Sequence, residues 1–366
     1  MLPSVSVVMA AFDAERFVGE AIESALAQDY PSELVDVVVV DDGSTDATAA
    51  IARHHAEASG RVRVIGRPNG GNVAATNTGF DYARGDVVAL LDADDAWPRD
   101  RLRRAVDVLV GRPDVGLVYG DMTVIDEDGE VLQQSWLAGD VTPEGRCLGA
   151  QLAGNNITAS SIVMRGAVLR AVAPIPAGMP WADWWLATRF ARLTDIAYLA
   201  EPRTLYRFHG ANMSLGAQGE ARRSELVKAA GFQRQLLLSL RPGDATPAEI
   251  LAGWTAFERN VREATALADT PFRRVLDVTG ADRAEAVGLE REARPALVAV
   301  AAEALWPLLR AAAADPWNDA ARATASPPRS RRPPDAGAWR ARRRRGTGHR
   351  ALAGPERNPN TARTAS

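Results

Sequence analysis

Five short, largely apolar runs, at residues 5–10, 34–40, 62–65, 86–91 and 115–119, alternate in this chain with stretches whose apolar residues recur at helical spacing. In 14–28, for example, Phe17, Val18, Ile22, Ala25 and Leu26 fall on one helical face. Residues 46–58, 73–83 and 99–110 read the same way. Apolar strands separated by helices imply an α/β fold, a Rossmann-like and mostly parallel sheet with both faces covered by helices. In such sheets ligands bind beyond the carboxyl ends of the strands. The polar clusters of the first hundred residues all fall there: Phe12-Asp13-Ala14-Glu15, Asp41-Asp42-Gly43-Ser44-Thr45-Asp46, Asn69-Gly70-Gly71-Asn72 and Asp92-Ala93-Asp94-Asp95.

The last of these clusters is the most pointed. Residues i and i+2 of an extended chain face the same way, so Asp92 and Asp94 can converge on one point. Carboxylates at the end of a buried strand need a cation or hydrogen bonds to offset them. A divalent metal gripping a diphosphate would do so; a polar loop capping the helix after Pro98 is the plainer alternative. Gly70 and Gly71 would let the backbone approach a ligand or a neighbouring strand. The Lys-Ser/Thr ending of a P-loop is missing after them. Phe12 at a strand end either stacks on a flat ring or packs into the core. In Asp41-Asp42-Gly43-Ser44, Ser44 or Thr45 is expected to cap the next helix.

Composition narrows the class. A hydrophobic fraction of 46% over 366 residues supports a large core with room for more than one domain. The net charge of -3 gives the whole chain no pull toward nucleic acid, yet residues 326–366 hold eleven arginines against two acids. One cysteine, Cys147, rules out an internal disulfide and a cysteine-rich metal site and points to a reducing compartment. With no leader-like start and no run of membrane-spanning length, the expected place is cytoplasmic, with peripheral contact at the inner face of the plasma membrane if the arginine run at 340–345 touches anionic head groups.

Farther along, 122–125 and 130–134 read as a hairpin, 180–192 as a helix, and 198–200 and 204–208 as strands. Residues 219–314 read as helices, and the Pro-, Arg- and Gly-rich remainder as disordered. The expected organisation is therefore a domain over 1–217, divided into 1–120 and 121–217, a helical C-terminal extension over 218–325 and a basic tail over 326–366.

Taken together, the segments Val5-Ser6-Val7-Val8-Met9-Ala10-Ala11-Phe12-Asp13-Ala14-Glu15, Val38-Val39-Val40-Asp41-Asp42-Gly43-Ser44-Thr45-Asp46, Asn69-Gly70-Gly71-Asn72-Val73-Ala74-Ala75-Thr76-Asn77-Thr78-Gly79 and Leu90-Leu91-Asp92-Ala93-Asp94-Asp95 resemble, in order and spacing, the signatures of family 2 glycosyltransferases. Tyr206-Arg207-Phe208-His209-Gly210-Ala211-Asn212-Met213-Ser214 resembles a later one. The likeness implies a GT-A fold, with 1–120 binding a nucleotide sugar and 121–217 the acceptor. It implies donor contacts from Ala10, Ala11, Phe12, Asp13, Glu15, Asp42, Gly71, Asn72, Asn77, Asp92 and Ala93, with Asp42 accepting a base N–H. It further implies Mn²⁺ or Mg²⁺ held by Asp94, with Asp92 and His209, and Asp183 as the base that deprotonates an acceptor hydroxyl in an inverting displacement.

The implied donor is UDP- or dTDP-linked. The acceptor is a glycan, a lipid-linked sugar or a small molecule in cell-envelope polysaccharide or glycoconjugate synthesis. Two positions depart from the family's pattern, the run from Ala10 to Asp13 and Thr76, where members often carry arginine. Those departures keep open a non-catalytic nucleotide- or glycan-binding protein on the same scaffold. A nucleotidyltransferase is disfavoured because no Gly-rich loop with Arg and Lys follows the first strand.

Overall fold

The computed structural model of the chain describes residues 2–209, 219–241 and 243–266. The helices expected beyond 266, the basic tail and the part of the histidine segment from 210 to 214 lie outside the described residues.

Strands β1 (Val5–Ala11), β2 (Val35–Asp41), β3 (Val62–Gly66) and β4 (Val87–Leu90) are joined by helices α1 (Val18–Leu26), α2 (Thr48–Ser59) and α3 (Asn72–Tyr82). They pair in parallel in the order β3-β2-β1-β4. Helix α4 (Arg101–Gly111) leads into β5 (Val115–Ile125), β6 (Val131–Gln133), β7 (Val163–Arg165) and β8 (Asp195–Arg207). Strand β7 lies between β4 and β5 and is antiparallel to both, so β5 runs in the direction of β4, and β8 pairs with β5 in parallel. The carboxyl ends of β1, β2, β4, β5 and β8 therefore open on one edge of one continuous sheet.

Both faces are covered, as the apolar runs require. Val5, Val7 and Met9 with Val35, Val37 and Val39 pack against Val18, Ile22 and Ala25 of α1 and Leu102 and Val106 of α4. The Val, Leu, Ile and Met side chains among them each contribute about 1.5–3 kcal/mol on full burial. On the other face Val8, Leu117 and Tyr119 meet Trp184, Trp185 and Phe190 of α7 (Ala182–Leu193), together with residues of α5 (Leu148–Ala153) and α6 (Gly166–Val172). Helices α8 (Gly219–Leu238) and α9 (Pro247–Ala266) buttress this second layer. Phe232 meets the Trp184 ring edge-on at 4.8 Å, and Gln233 Nε2 donates to the Leu152 carbonyl at 3.2 Å. Among the described residues no helix is long and apolar enough to cross a membrane.

Helix α3 lies against β1 through Gly79, where an added Cβ would stand 2.2 Å from Val8 Cγ1. Gly79→Ala is expected to lower stability by about 1–3 kcal/mol, because the overlap outweighs the roughly 1 kcal/mol gained in helix propensity. A urea midpoint equal to wild type would show that α3 can shift without cost.

Several sequence expectations change in detail. The first helix begins at Val18, not at residue 14: residues 15–17 form a turn, before which Ala14 donates its amide to Thr48 Oγ1 at 2.7 Å, and Glu15 donates to Asp46 Oδ2 at 3.0 Å. Ser44 and Thr45 do not cap α2. Ser44 Oγ accepts the Asp13 amide, while Asp46 Oδ1 accepts the Thr48 amide and Glu15 Oε2 the Ala47 amide. The runs 115–119 and 122–125 are one strand, buried along its whole length. The runs 198–200 and 204–208 are likewise one strand, whose register with β5 shifts between Leu199 and Thr204. The short elements α5, β7 and α6 went unseen.

Candidate active site at the carboxyl edge of the sheet

Three loops build the side of the edge formed by β1 and β2. At the end of β1, Asp13 adopts φ +46, an uncommon conformation for a residue other than glycine. It is held there by the opposite loop: Asp13 Oδ1 accepts the Thr45 amide at 2.7 Å, and the Asp13 amide donates to Ser44 Oγ at 3.1 Å. Glu15 is tied to the same loop, so both acids lock the two strand ends together. Phe12, just before them, is 49% exposed, which answers the question of core packing for this ring. Ala11 and Ala93 point into the core, and Ala10 is half-buried against Val38 and Val40, so these three can offer a ligand little beyond backbone.

Asp42 is buried at the end of β2. Its carboxylate accepts the Gly71 amide at 2.7 Å, the Gly70 amide at 3.1 Å and a guanidinium N–H of Arg67. It thereby shapes the turn that starts α3, in which Gly71 takes φ +85, a conformation that favours glycine, and Asn72 opens the helix. Asn77 sits farther along α3, and its amide is spent on the backbone of Ile175: Nδ2 donates at 2.8 Å and Oδ1 accepts at 2.8 Å. Its place is a strut between α3 and the loop after α6.

The acidic cluster forms where β4, β8 and α7 meet. The hinge of this arrangement is a 3-10 turn, Ala159–Ser161. Ser160 Oγ accepts the Asp92 amide at 3.0 Å, and its carbonyl takes Trp97 Nε1 at 2.8 Å and Thr204 Oγ1 at 3.1 Å. From the other side the same turn holds Asp183, in the first turn of α7, whose carboxylate accepts backbone amides of Trp184 and Ala159. Burial pushes the Asp183 carboxyl up to about 7, against the pull of those amides. Burial first, then the charges of Asp94 and Asp183, push the Asp92 carboxyl up to about 7 as well. Asp95, buried beneath, is raised well above the usual carboxylate range by burial and then by the charges of Asp94 and Asp92. The phenol of Tyr206 is raised by burial and then by the charges of Asp95, Asp94, Asp92 and Asp183.

His209, just past β8, brings Nε2 to 3.0 Å from Asp94 Oδ2 and stacks on Phe17, ring centroids 5.3 Å apart. The structure thus gathers Asp92, Asp94, Asp183 and His209, and sets Asp42, Asp13, Glu15 and Phe12 at strand ends along the same edge. The donor set fits a hard divalent cation: a carboxylate oxygen and an imidazole nitrogen aimed at one another, within a surplus of negative charge. Among the described residues no group of three or more His, Cys, Asp or Glu side chains is spaced to hold a metal ion. The remaining ligands would have to come from phosphate oxygens and water, the usual arrangement for Mg²⁺.

Sequence reasoning missed Ser160, Glu20, Arg67 and the roles of Tyr206 and Arg207. The last two lie inside the segment singled out around His209. Ser160 carried no signal, since its importance comes from three residues, Asp92, Trp97 and Thr204, on two segments distant in the chain.

Residues 6–169 match the family model described as "Glycosyl transferase family 2". An uncharacterized glycosyltransferase of Nostoc sp. is 32% identical over 235 residues, covering 63% of this chain and 72% of the relative. The succinoglycan biosynthesis protein ExoO of Rhizobium meliloti is 40% identical over 136 residues, 36% of this chain and 37% of that protein. In structure the chain is similar to Staphylococcus aureus TarS residues 1–349, with a TM-score of 0.56 at 18% identity over 73% of this chain and 75% of that one. It is also similar to the mannosyltransferase PcManGT of Pyrobaculum calidifontis in complex with GDP-Man and Mn²⁺, with a TM-score of 0.50 at 20% identity over 77% of this chain and 80% of that one.

Proposed function

The chain belongs to glycosyl transferase family 2 and has the GT-A fold, and from that premise we propose an inverting transfer of a sugar from UDP or dTDP to an acceptor hydroxyl, with Asp183 as the base. The observation that carries the proposal is the anchoring of Asp183 and Asp92 on consecutive residues of the 3-10 turn Ala159–Ser161, by the Ala159 amide and the Ser160 hydroxyl. A carboxylate with a pKa near 7 removes a proton from a hydroxyl far better than an ordinary one and is still ionised in a large fraction at neutral pH.

The Asp183 carboxylate takes the acceptor's hydroxyl proton as that oxygen attacks the anomeric carbon from the side opposite the diphosphate. A single displacement converts an α-linked donor into a β-linked product. The amides of Trp184 and Ala159 aim the base, and the Trp184 ring, fixed by Phe232 and by its Nε1 bond to the Gln151 carbonyl, keeps that end of α7 rigid and dry. Phe12 offers a face for the base of the nucleotide, and the turn shaped by Asp42 and Gly71 lies beside it. Asp94 and His209 would hold a divalent cation, which would neutralise charge on the departing diphosphate. A glycan or lipid-linked acceptor in envelope polysaccharide synthesis is supported by the likeness to a succinoglycan biosynthesis protein. Work at the cytoplasmic face of a membrane is part of the same proposal, supported by the arginines of 326–366.

Screening nucleotide sugars for thermal stabilisation in the presence of Mn²⁺ tests the reading. A matched donor at a hundred times its Kd adds about 2.7 kcal/mol to the folded state, a rise in Tm of roughly 5–10 °C. If no uridine or thymidine diphosphate sugar raises the Tm, the proposed donor class is wrong.

A further inference from the structure

The first turn of α1 and the end of β8 are joined more firmly than either needs for its own fold. Arg207 is 2% exposed, and a guanidinium buried to that degree must find partners for its N–H groups. It finds them on three separate segments. Nε donates to the Asp94 carbonyl at 3.0 Å, Nη1 to the carbonyls of Asp126 at 3.2 Å and Glu127 at 3.3 Å, and Nη2 to Glu20 Oε2 at 2.6 Å. Its own amide donates to Asp95 Oδ1 at 2.9 Å. The acid loop after β4 is thus gripped at two consecutive residues. Only a planar fork of donors can satisfy acceptors so placed; an ammonium group cannot span them.

Phe17 completes the grip. Its ring lies 4.9 Å from the guanidinium carbon of Arg207 and stacks on the His209 imidazole with an interplanar angle of 30°. Arg16 caps the same ring at 4.9 Å and is itself anchored to Glu127 at 2.9 Å. Two residues beyond Arg207, the imidazole therefore has a flat wall behind it, and its Nε2 meets Asp94 Oδ2, whose backbone Arg207 holds.

We propose that Phe17 and Arg207 are positioning residues that preassemble Asp94 and His209 as a two-ligand seat for a divalent cation, Phe17 by fixing the plane of the imidazole and Arg207 by fixing the main chain of Asp94. The inference rests on the cation reading above and goes beyond it in assigning the seat's rigidity to α1 and β8. Outer partners that orient metal ligands are commonly worth 10–100-fold in metal affinity. Phe17→Leu keeps apolar volume but removes the flat wall; Arg207→Lys keeps the charge but not the fork.

Mn²⁺ alone is titrated into each protein, with the free ion followed by electron paramagnetic resonance and the melting temperature recorded beside it. The expected result is a Mn²⁺ Kd raised about 10–100-fold in Phe17→Leu, with the variant still folded at the temperature of the titration, and raised at least as much in Arg207→Lys. Wild-type Mn²⁺ affinity in either variant overturns the role of that residue. A loss of affinity that merely follows a loss of melting temperature in both would reduce them to residues that hold the fold. A wild-type chain that takes up no Mn²⁺ would overturn the cation reading and this inference with it.

Discussion

Replacing Asp183 by asparagine is expected to lower sugar transfer by a factor of about 10²–10⁴ while nucleotide binding survives. The amide keeps the size of the side chain but cannot take a proton. Its neighbours predict how the intact enzyme responds to pH. Burial raises the Asp183 carboxyl to about 7, and the base works only when ionised, so kcat/KM should climb as pH rises through about 7 and level off above it. The rising limb should be missing from whatever activity Asp183→Asn retains. Initial rates of nucleoside diphosphate release across the pH range check both points; unchanged turnover in the variant would remove Asp183 from the mechanism.

The same shift has a cost in stability. The folded carboxyl keeps its proton to about 7, whereas the unfolded one releases it near 3.8, so the folded state binds more protons between those values and loses stability as pH rises across them. At pH 8 the asparagine variant should therefore melt no lower than wild type, and an inactive but undiminished fold is the combination expected of a group kept for chemistry.

Chelation is the second large effect. The carboxyl groups of Asp92, Asp94 and Asp183 crowd one corner, and an arriving diphosphate adds further negative charge to it. A divalent cation there is worth several kcal/mol in the transition state, about 10²–10³-fold in rate. EDTA is expected to lower transfer by that factor, with Mn²⁺ or Mg²⁺ restoring it in the wild type. In Asp94→Ala restoration should fail or need far more metal. Full activity in chelator would strip Asp94 and His209 of this role.

The parallel half of the sheet could be read directly from the sequence, because strands buried on both faces leave apolar runs and the helices between them leave a 3.6-residue period. The acidic edge was legible for a related reason: a carboxylate after such a run has few other places to be. What could not be read were interactions closed over long distances in the chain. Ser44 does not cap α2: its hydroxyl accepts the amide of Asp13, 31 residues away, and the Thr48 amide at the helix start goes to the Asp46 carboxylate instead. Asn77 matches a donor-binding signature, yet its amide is matched to the backbone of Ile175, ninety-eight residues on. Strand β7 is three residues long, too short for any periodicity, and is a strand only because β4 and β5 flank it.

That short strand has a mechanical consequence. By bonding to β4 on one side and β5 on the other, it joins the parallel strands and the later strands into a single woven slab. The loops after β1, β2, β4 and β8 consequently rise from one shared base rather than from two separate sheets.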